Sequence, residues 1–389
     1  MAKGRRDNGS GSIRQRSDGT WEARYTVGRD PGTGKPIVKS IYGKRQKDVR
    51  EKLRAAVASV DAGDYYEPPK LTVAQWLDTW LSEYCSGVKP GTLTSYKGHV
   101  EHYIKPSMGA VKLGSLTAVQ IQQMVNRAHR GELGSKPLSA KTVKNLHGVI
   151  HRALAQAVRI GMIRSNPADA VELPRVERQE IHPLDDQQVK DFLQVIRGHR
   201  HETLWRVALF TGMRRGELLG LTWDCVDFDR CRITINHQLV ENAETREYTL
   251  ASPKNGKPRT IEVAPSVMEL LRAKKRQQAR QQLRAGGRWA NWMDLVFTDS
   301  QGCHLTGPGV YHSTAKKFKR IGLDHARFHD LRHTYAVMAI RNGDDIKTVQ
   351  GNLGHATASF TLDVYGHFTD QMRSDSASRM EQKFNELLG

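Results

Sequence analysis

The spacing of apolar residues changes twice along the chain. Trp21, Ala23, Tyr25 and Val27 alternate with Glu22, Arg24 and Thr26, the period-two pattern of a strand buried on one face. A Gly/Pro-bearing turn from Asp30 to Pro36 leads to a second strand around Ile37 to Tyr42. A helix is then predicted from Arg45 to Val60, with Val49, Leu53, Ala56 and Val57 on one side. From Val73 the spacing becomes helical: Val73, Trp76, Leu77, Trp80, Leu81 and Tyr84 share one face, and Thr72 stands where an N-cap belongs. Further helices are expected at Gly91–Ile104, Thr117–His129 and Ser139–Ile160, with proline and glycine between them. From about Ile181 the patterns mix. Helices are predicted at Asp185–Ile196, His201–Thr211, Arg272–Arg288 and Pro308–Ile321. Strands are predicted through Ile233, Ile235 and Leu239, through Ile261 and Val263, and at Leu295–Phe297; Asn255-Gly256 marks a tight hairpin turn between the first two. The expected fold is therefore multidomain: a small α+β N-terminal domain (1–65), an all-α helical domain (66–175) and a mainly α, α+β domain with a small antiparallel sheet (176–389).

A chain of 389 residues suits two or three such domains, and 38% hydrophobic with 26% charged residues suits folded domains rather than disorder. No apolar run reaches the length of a membrane span, and the basic N-terminus Met1–Ser10 lacks the apolar core of a secretory signal. Cys85, Cys225, Cys231 and Cys303 are scattered, which argues against a disulfide framework or a cysteine zinc site and fits a reducing cytoplasm. The net charge of +19 changes the picture most, because it favours a polyanionic partner, most often nucleic acid. The first 65 residues alone hold 15 Lys/Arg against 8 Asp/Glu. Arg14, Arg16, Arg24 and Lys39 on strands, and Lys97, Lys141 and Lys144 on helices, are candidate DNA contacts. A solvated basic face and a helical spacer without ligand are the plainer alternatives.

Candidate chemistry concentrates between Phe328 and Tyr365. His329 and Arg332 stand three apart at a helix start, His355 follows in Leu353-Gly354-His355, and Tyr365 lies ten residues further. Upstream, Arg214 sits in Thr211-Gly212-Met213-Arg214 with Glu217 three residues on, and Lys254 stands at the hairpin turn. Guanidiniums, imidazoles and a phenol together fit a site for a phosphate and a nucleophile. His329 and His333 also have a metal-ligand spacing, but no third ligand is near in sequence, so no metal is expected.

These segments, in this order and at these spacings, resemble the tyrosine recombinases, the phage-type integrase family. The resemblance is most specific over 180–389. It implies an arm-site DNA-binding domain at 1–65, a core-site DNA-binding domain at 66–175 and a catalytic domain with a C-terminal tail helix at 176–389. It implies Tyr365 as nucleophile, forming a 3′-phosphotyrosyl bond with a free 5′-hydroxyl, and Arg214 and Arg332 as clamps on the scissile phosphate. Lys254 would protonate the leaving 5′-oxygen, His329 would assist proton transfer from the tyrosine, and His355 would hydrogen-bond a phosphate oxygen. Lys257 is the competing choice for the lysine. Glu217 is either a carboxylate that orients its neighbours or a plain surface ion pair. The covalent intermediate stores the phosphodiester energy, so no cofactor is expected.

The expected function is site-specific recombination for integration and excision of a phage or integrative element. The expected partners are double-stranded attachment sites, three further copies in a tetramer, and a host DNA-bending protein and directionality factor, at the nucleoid and away from membranes. Met372, Met380, Phe384, Leu387 and Leu388 form an apolar stripe that packs on its own domain or docks on a neighbour. A type IB-like DNA topoisomerase and a non-catalytic DNA-binding regulator remain the alternatives.

Overall fold

The computed structural model describes residues 11–62, 70–177, 181–242, 245–253, 256–355 and 380–388. The chain divides into two compact units, Met1–Val176 and Glu177–Gly389.

The first unit contains two hydrophobic cores. Strands β1 (Ser12–Gln15), β2 (Trp21–Arg29) and β3 (Pro36–Gly43) form an antiparallel sheet in that order. Helix α1 (Gln46–Asp61) packs Val49 and Leu53 against Ala23 and Tyr25, so the alternation along β2 is the sheet's inside and outside. The register pairs Arg14 with Glu22, Glu22 with Tyr42, and Arg24 with Ser40, which gathers these residues on the face away from α1.

The second core is helical: α2 (Val73–Glu83), α3 (Pro90–His99), α4 (Lys105–Met108), α5 (Ala118–Arg130) and α6 (Ala140–Arg159). The helix expected to run through Ile104 is interrupted, because Val100–Ile104 forms a π turn between α3 and α4. Thr72 and Gln75 form a reciprocal capping box at the start of α2, as do Thr117 and Gln120 at α5. Trp76, Leu77 and Trp80 are buried in one core with Leu146, Ile150 and Leu154, and Trp76 donates its indole N–H to the Ala153 carbonyl at 2.9 Å. Burial of each such side chain contributes about 1.5–3 kcal/mol, so this apolar face outweighs the modest gain from any single cap.

The second unit holds α7 (Asp186–Val195), α8 (Glu202–Thr211), α9 (Arg215–Leu219), β4 (Val226–Asp227), β5 (Arg232–Ile235), β6 (Gln238–Glu241), β7 (Tyr248–Ala251), β8 (Arg259–Glu262), α10 (Pro265–Ala285), α11 (Gly307–Lys319), α12 (Asp330–Arg341) and α13 (Ile346–Leu353). Two small antiparallel sheets form, β4-β5-β8 and β6-β7. The strand through Ile233 and Ile235 pairs with the strand through Ile261 as expected, β5 with β8, but the two are not a tight hairpin, because β6 and β7 form a separate pair between them in sequence. Helix α10 begins at Pro265 rather than at Arg272, with proline at its first position where no intrahelical N–H is needed. Leu295–Phe297 is not a strand. Leu295 makes only an isolated bridge to Thr222, and the Val296 N–H bonds the Leu221 carbonyl at 2.8 Å. The core stacks Phe192 on Phe318, ring centroids 4.7 Å apart, beside Trp205. Helix α12 is buried on most sides, and its Thr334 hydroxyl accepts the Leu184 N–H at 2.9 Å. Among the described residues no helix is long and apolar enough to cross a membrane.

Candidate active site

The site is built around the C-terminal end of α13. Asp345 caps the start of this helix through the N–H groups of Lys347 and Thr348, and Gly354 ends it in the left-handed conformation, φ +63°. A helix end presents carbonyls without intrahelical donors and the negative pole of the helix dipole. Three arginines from three separate elements donate to three consecutive carbonyls there. Arg259 of β8 reaches Asn352 O at 2.9 Å, Arg332 of α12 reaches Leu353 O at 2.6 Å, and Arg214, before α9, reaches Gly354 O at 3.0 Å. A Cβ on Gly354 would stand 2.9 Å from the Arg259 guanidinium, so close approach and backbone conformation both require glycine.

Guanidiniums this close repel one another unless something offsets them, and Glu217 does so for two of the three. Its carboxylate is 1% exposed and accepts the Arg214 N–H at 2.9 Å and Arg214 Nη1 at 2.8 Å. Arg259 grips it with both terminal nitrogens, at 2.9 and 2.6 Å. Burial pushes the Glu217 pKa up, but hydrogen bonding and charge from Arg259, then Arg214, outweigh it and leave the value at about 2. Glu217 is thus a buried, charged member of the network and not a surface ion pair. Arg332 is buried as well, with Nη1 on the Gly212 carbonyl at 2.7 Å. Gly212 closes α8 at φ +64°, and a Cβ there would run into the Tyr335 ring and lie 2.8 Å from Leu353.

The histidines sit within this positive field. His355 is lowered to about 3, first by burial, then by Arg332 and Arg214. His329 and His333 are each lowered to about 4 by desolvation first; Arg332 is next for His329, and His329 is next for His333. His329 keeps contact with solvent, and water screens part of this effect. At neutral pH these imidazoles are uncharged, able to accept a proton at one nitrogen and donate one from the other. The His329 and His333 rings meet edge to face at 4.9 Å.

The structure brings together Arg214, Glu217, Arg332, His329 and His355. Lys254 and Tyr365 lie outside the described residues, as does Met372 of the apolar stripe. Lys257 lines a cavity of about 380 Å³ with Arg214, Pro253, Arg259, Gly354 and His355. The member of the network that sequence reasoning missed is Arg259. Its signal is alternation: Arg259 and Ile261 share a strand face, and Ile261 is core, so an arginine there needs a buried carboxylate.

The basic candidates divide. Arg14 and Arg24 flank Glu22 on the open face of the sheet, and Arg16 lies over the Tyr42 ring at 5.5 Å. Lys39 pairs with Tyr25 in the register and so stands on the face covered by α1, apart from the others. Lys97 on α3 and Lys141 and Lys144 on the first turns of α6 are exposed.

Comparison with known proteins agrees with this architecture. The phage integrase family profile matches residues 183–372, and the profile of the phage integrase N-terminal SAM-like domain matches 72–129. A tyrosine recombinase XerC-like protein of Caldanaerobacter subterraneus subsp. tengcongensis is 28% identical over 382 residues, covering 94% of this chain and 96% of that one. The ICEBs1 integrase of Bacillus subtilis is 23% identical over 381 residues, covering 95% and 99%. The fold is shared with the Tn1549 transposon integrase in complex with transposon right end DNA, with a TM-score of 0.67, 23% identity, and coverage of 80% of this chain and 100% of that one. It is shared more loosely with a lambda integrase tetramer bound to a Holliday junction, with a TM-score of 0.52, 20% identity, and coverage of 89% and 96%. The two profiles and the relatives agree, and the chain belongs to the phage integrase family. Within that family it is a tyrosine recombinase.

Proposed function

We propose that the arginine cluster at the end of α13 is the phosphate clamp of this integrase, and that Tyr365 attacks the phosphate held there. The observation that carries this reading is the anchoring of Arg214 and Arg332 on the adjacent carbonyls of Gly354 and Leu353, which fixes two guanidiniums side by side. A phosphodiester in transesterification gathers negative charge on its non-bridging oxygens, and donors fixed beforehand stabilise that charge without reorganising. The Tyr365 oxygen bonds to phosphorus, the 5′-oxygen leaves, and a 3′-phosphotyrosyl ester results. Lys254 delivers the proton to the leaving oxygen, with Lys257 on the cavity wall as the alternative donor. Neutral His329 accepts the phenol proton, and His355 donates a hydrogen bond to the phosphate. Attack by the 5′-hydroxyl of a second strand reverses each step and rejoins the DNA, so the number of phosphodiester bonds is conserved.

Tyr365 lies ten residues beyond His355, and such a segment spans at most about 33–36 Å, enough to bring the phenol to the clamp. The reading extends to attachment sites of a mobile element as substrate, with the basic sheet face on arm-type sites and the helical face on core sites. It also extends to assembly of four chains on DNA, with host bending and directionality factors. Met380, Phe384, Leu387 and Leu388 are all exposed on the helix at 380–388, which supports docking of the tail on a neighbouring copy.

The test is a suicide duplex carrying a nick beside the cleavage site. A covalent protein–DNA adduct should form and be lost in Tyr365→Phe. Absence of the adduct in the parent chain on DNA it demonstrably binds would sink the reading in favour of a regulator, and relaxation of any supercoiled plasmid without site preference would favour a topoisomerase.

A further inference from the structure

A second cavity of the catalytic unit, of about 370 Å³, contains basic groups that the strand-transfer chemistry does not use. Arg200, His201, Lys274 and His304 line it, with Gln281 and one carboxylate, Asp299. Lys274 on α10 is only 6% exposed and has no hydrogen-bond or ion-pair partner among the described residues. Its stem is buried and its ammonium faces the cavity with no counter-charge bonded to it among the described residues, so an anion in the cavity would meet an open positive charge. His201 is buried beside it, and its pKa is lowered to about 4 by burial first, then by Arg200, His199 and Lys274. Two buried bases that repel each other at one wall are both relieved by one anion between them. Asp299 offsets part of the charge, but its Oδ1 is occupied by the N–H groups of Gln301 and Cys303.

Gln281 narrows the chemistry. It lies seven residues after Lys274 on α10, on the same helix face, and its side-chain oxygen is buried without a donor among the described residues. The ligand should therefore carry both anionic oxygens and an O–H. At neutral pH monohydrogen phosphate has both, whereas sulfate and a DNA phosphodiester have no O–H. We propose that this cavity binds inorganic phosphate, with Lys274 and Arg200 on the anionic oxygens and Gln281 accepting from the P–OH.

The experiment titrates the full chain, in phosphate-free buffer, with inorganic phosphate and separately with sulfate, followed by calorimetry and thermal melting. Phosphate is expected to bind saturably at one site per chain and, at about 100 times its Kd, to raise Tm by about 5 °C. Lys274→Met should weaken phosphate binding by about tenfold or more while melting at least as high as the parent without phosphate. Gln281→Met should keep phosphate binding but lose the preference over sulfate. Should Lys274→Met fail to fold, Arg200→Gln, at an exposed position, replaces it and should weaken phosphate several-fold. The proposal is overturned by equal responses to phosphate and sulfate that persist in Lys274→Met, meaning an adventitious ion only, or by no saturable heat. It is also overturned if excess duplex DNA displaces the phosphate in proportion to its own binding, because the site would then belong to the nucleic-acid backbone.

Discussion

Two carboxylates in different units are each held by a pair of arginines, and they teach opposite lessons. Glu22 lies under Arg14 and Arg24 on the N-terminal sheet; Glu217 lies between Arg214 and Arg259 in the catalytic unit. Both acids are held at about 2, Glu22 by the hydrogen bond from Arg24 first and Glu217 by bonds that overcome its burial. The difference lies in the arginines. The Arg14 and Arg24 side chains are 60% and 50% exposed, whereas those of Arg214 and Arg259 are 20% and 11% exposed. Water reaches the first pair of guanidiniums, so on the proposed function they can meet a DNA phosphate while still facing Glu22, itself only 2% exposed. The second pair is fixed by packing and by the end of α13. There Arg259 balances the charge of Glu217, which on the proposed function leaves that of Arg214 for the substrate. The same local chemistry thus yields an adaptable contact at the surface and a preorganised one inside.

The largest effect that separates the two is on strand cleavage. Arg214→Ala or Arg332→Ala is expected to lower single-turnover cleavage by about 10²–10³, with duplex binding changed only a few-fold. Arg24→Ala should do the reverse, weakening binding while cleavage of saturating substrate stays unchanged. If Arg24→Ala also abolished cleavage of bound DNA, the division of labour would be wrong.

Next comes Arg259→Met, which leaves Glu217 buried with one partner. We expect a loss of about 3 kcal/mol in a chemical melt and a drop in cleavage that Glu217→Gln in the same chain partly restores. A melt and a cleavage rate both equal to the parent's would remove Arg259 from the positioning role.

The third effect is on acid sensitivity. His329, His333 and His355 have folded pKa values below the ordinary 6.5, so the unfolded chain binds more protons between about pH 6.5 and 4. The stability associated with the neutral rings is complete above 6.5 and is lost as pH falls through about 4 for His329 and His333 and about 3 for His355. Replacing His333 and His355 by Gln should flatten Tm against pH over that window; an unchanged slope would refute it. Glu217 adds a further loss between about 4.5 and 2; Glu22 adds one over the same range, lessened by the water that reaches its arginine partners.

The smallest effect is at Glu22→Gln. It should shift Tm little and tighten duplex binding by less than about tenfold at low salt, the gain fading as salt rises. A large destabilisation would mean that the surface pair is as rigid as the inner one.

Much of this was legible before any coordinates. The alternation along Trp21–Val27 survives because one sheet face is covered and the other is wet. Thr72 and Gln75 announce the start of α2. Arg214, Glu217, His329, Arg332 and His355 stand in segments whose glycines and helix starts carry their own local rules. What was not legible depends on partners far apart in sequence. Arg259 acquires its meaning from a carboxylate 42 residues away and a carbonyl 93 residues away. The separate pairing of β6 with β7 is invisible to a turn motif, which reports that the chain reverses but not which strand it joins. The basic run from Arg272 obscured the start of α10, although Pro265, Val267, Met268 and Leu271 carry the helical spacing.

The three carbonyls from Asn352 to Gly354 also stand shortly before Tyr365 in the sequence. On the proposed function, aim and grip share one mounting: the backbone that leads toward Tyr365 in sequence is bolted by the same cations proposed to receive its target. An error that loosens this mounting would not slow one step and spare the other. On the proposed function it would leave the enzyme holding DNA that it can neither steady nor strike.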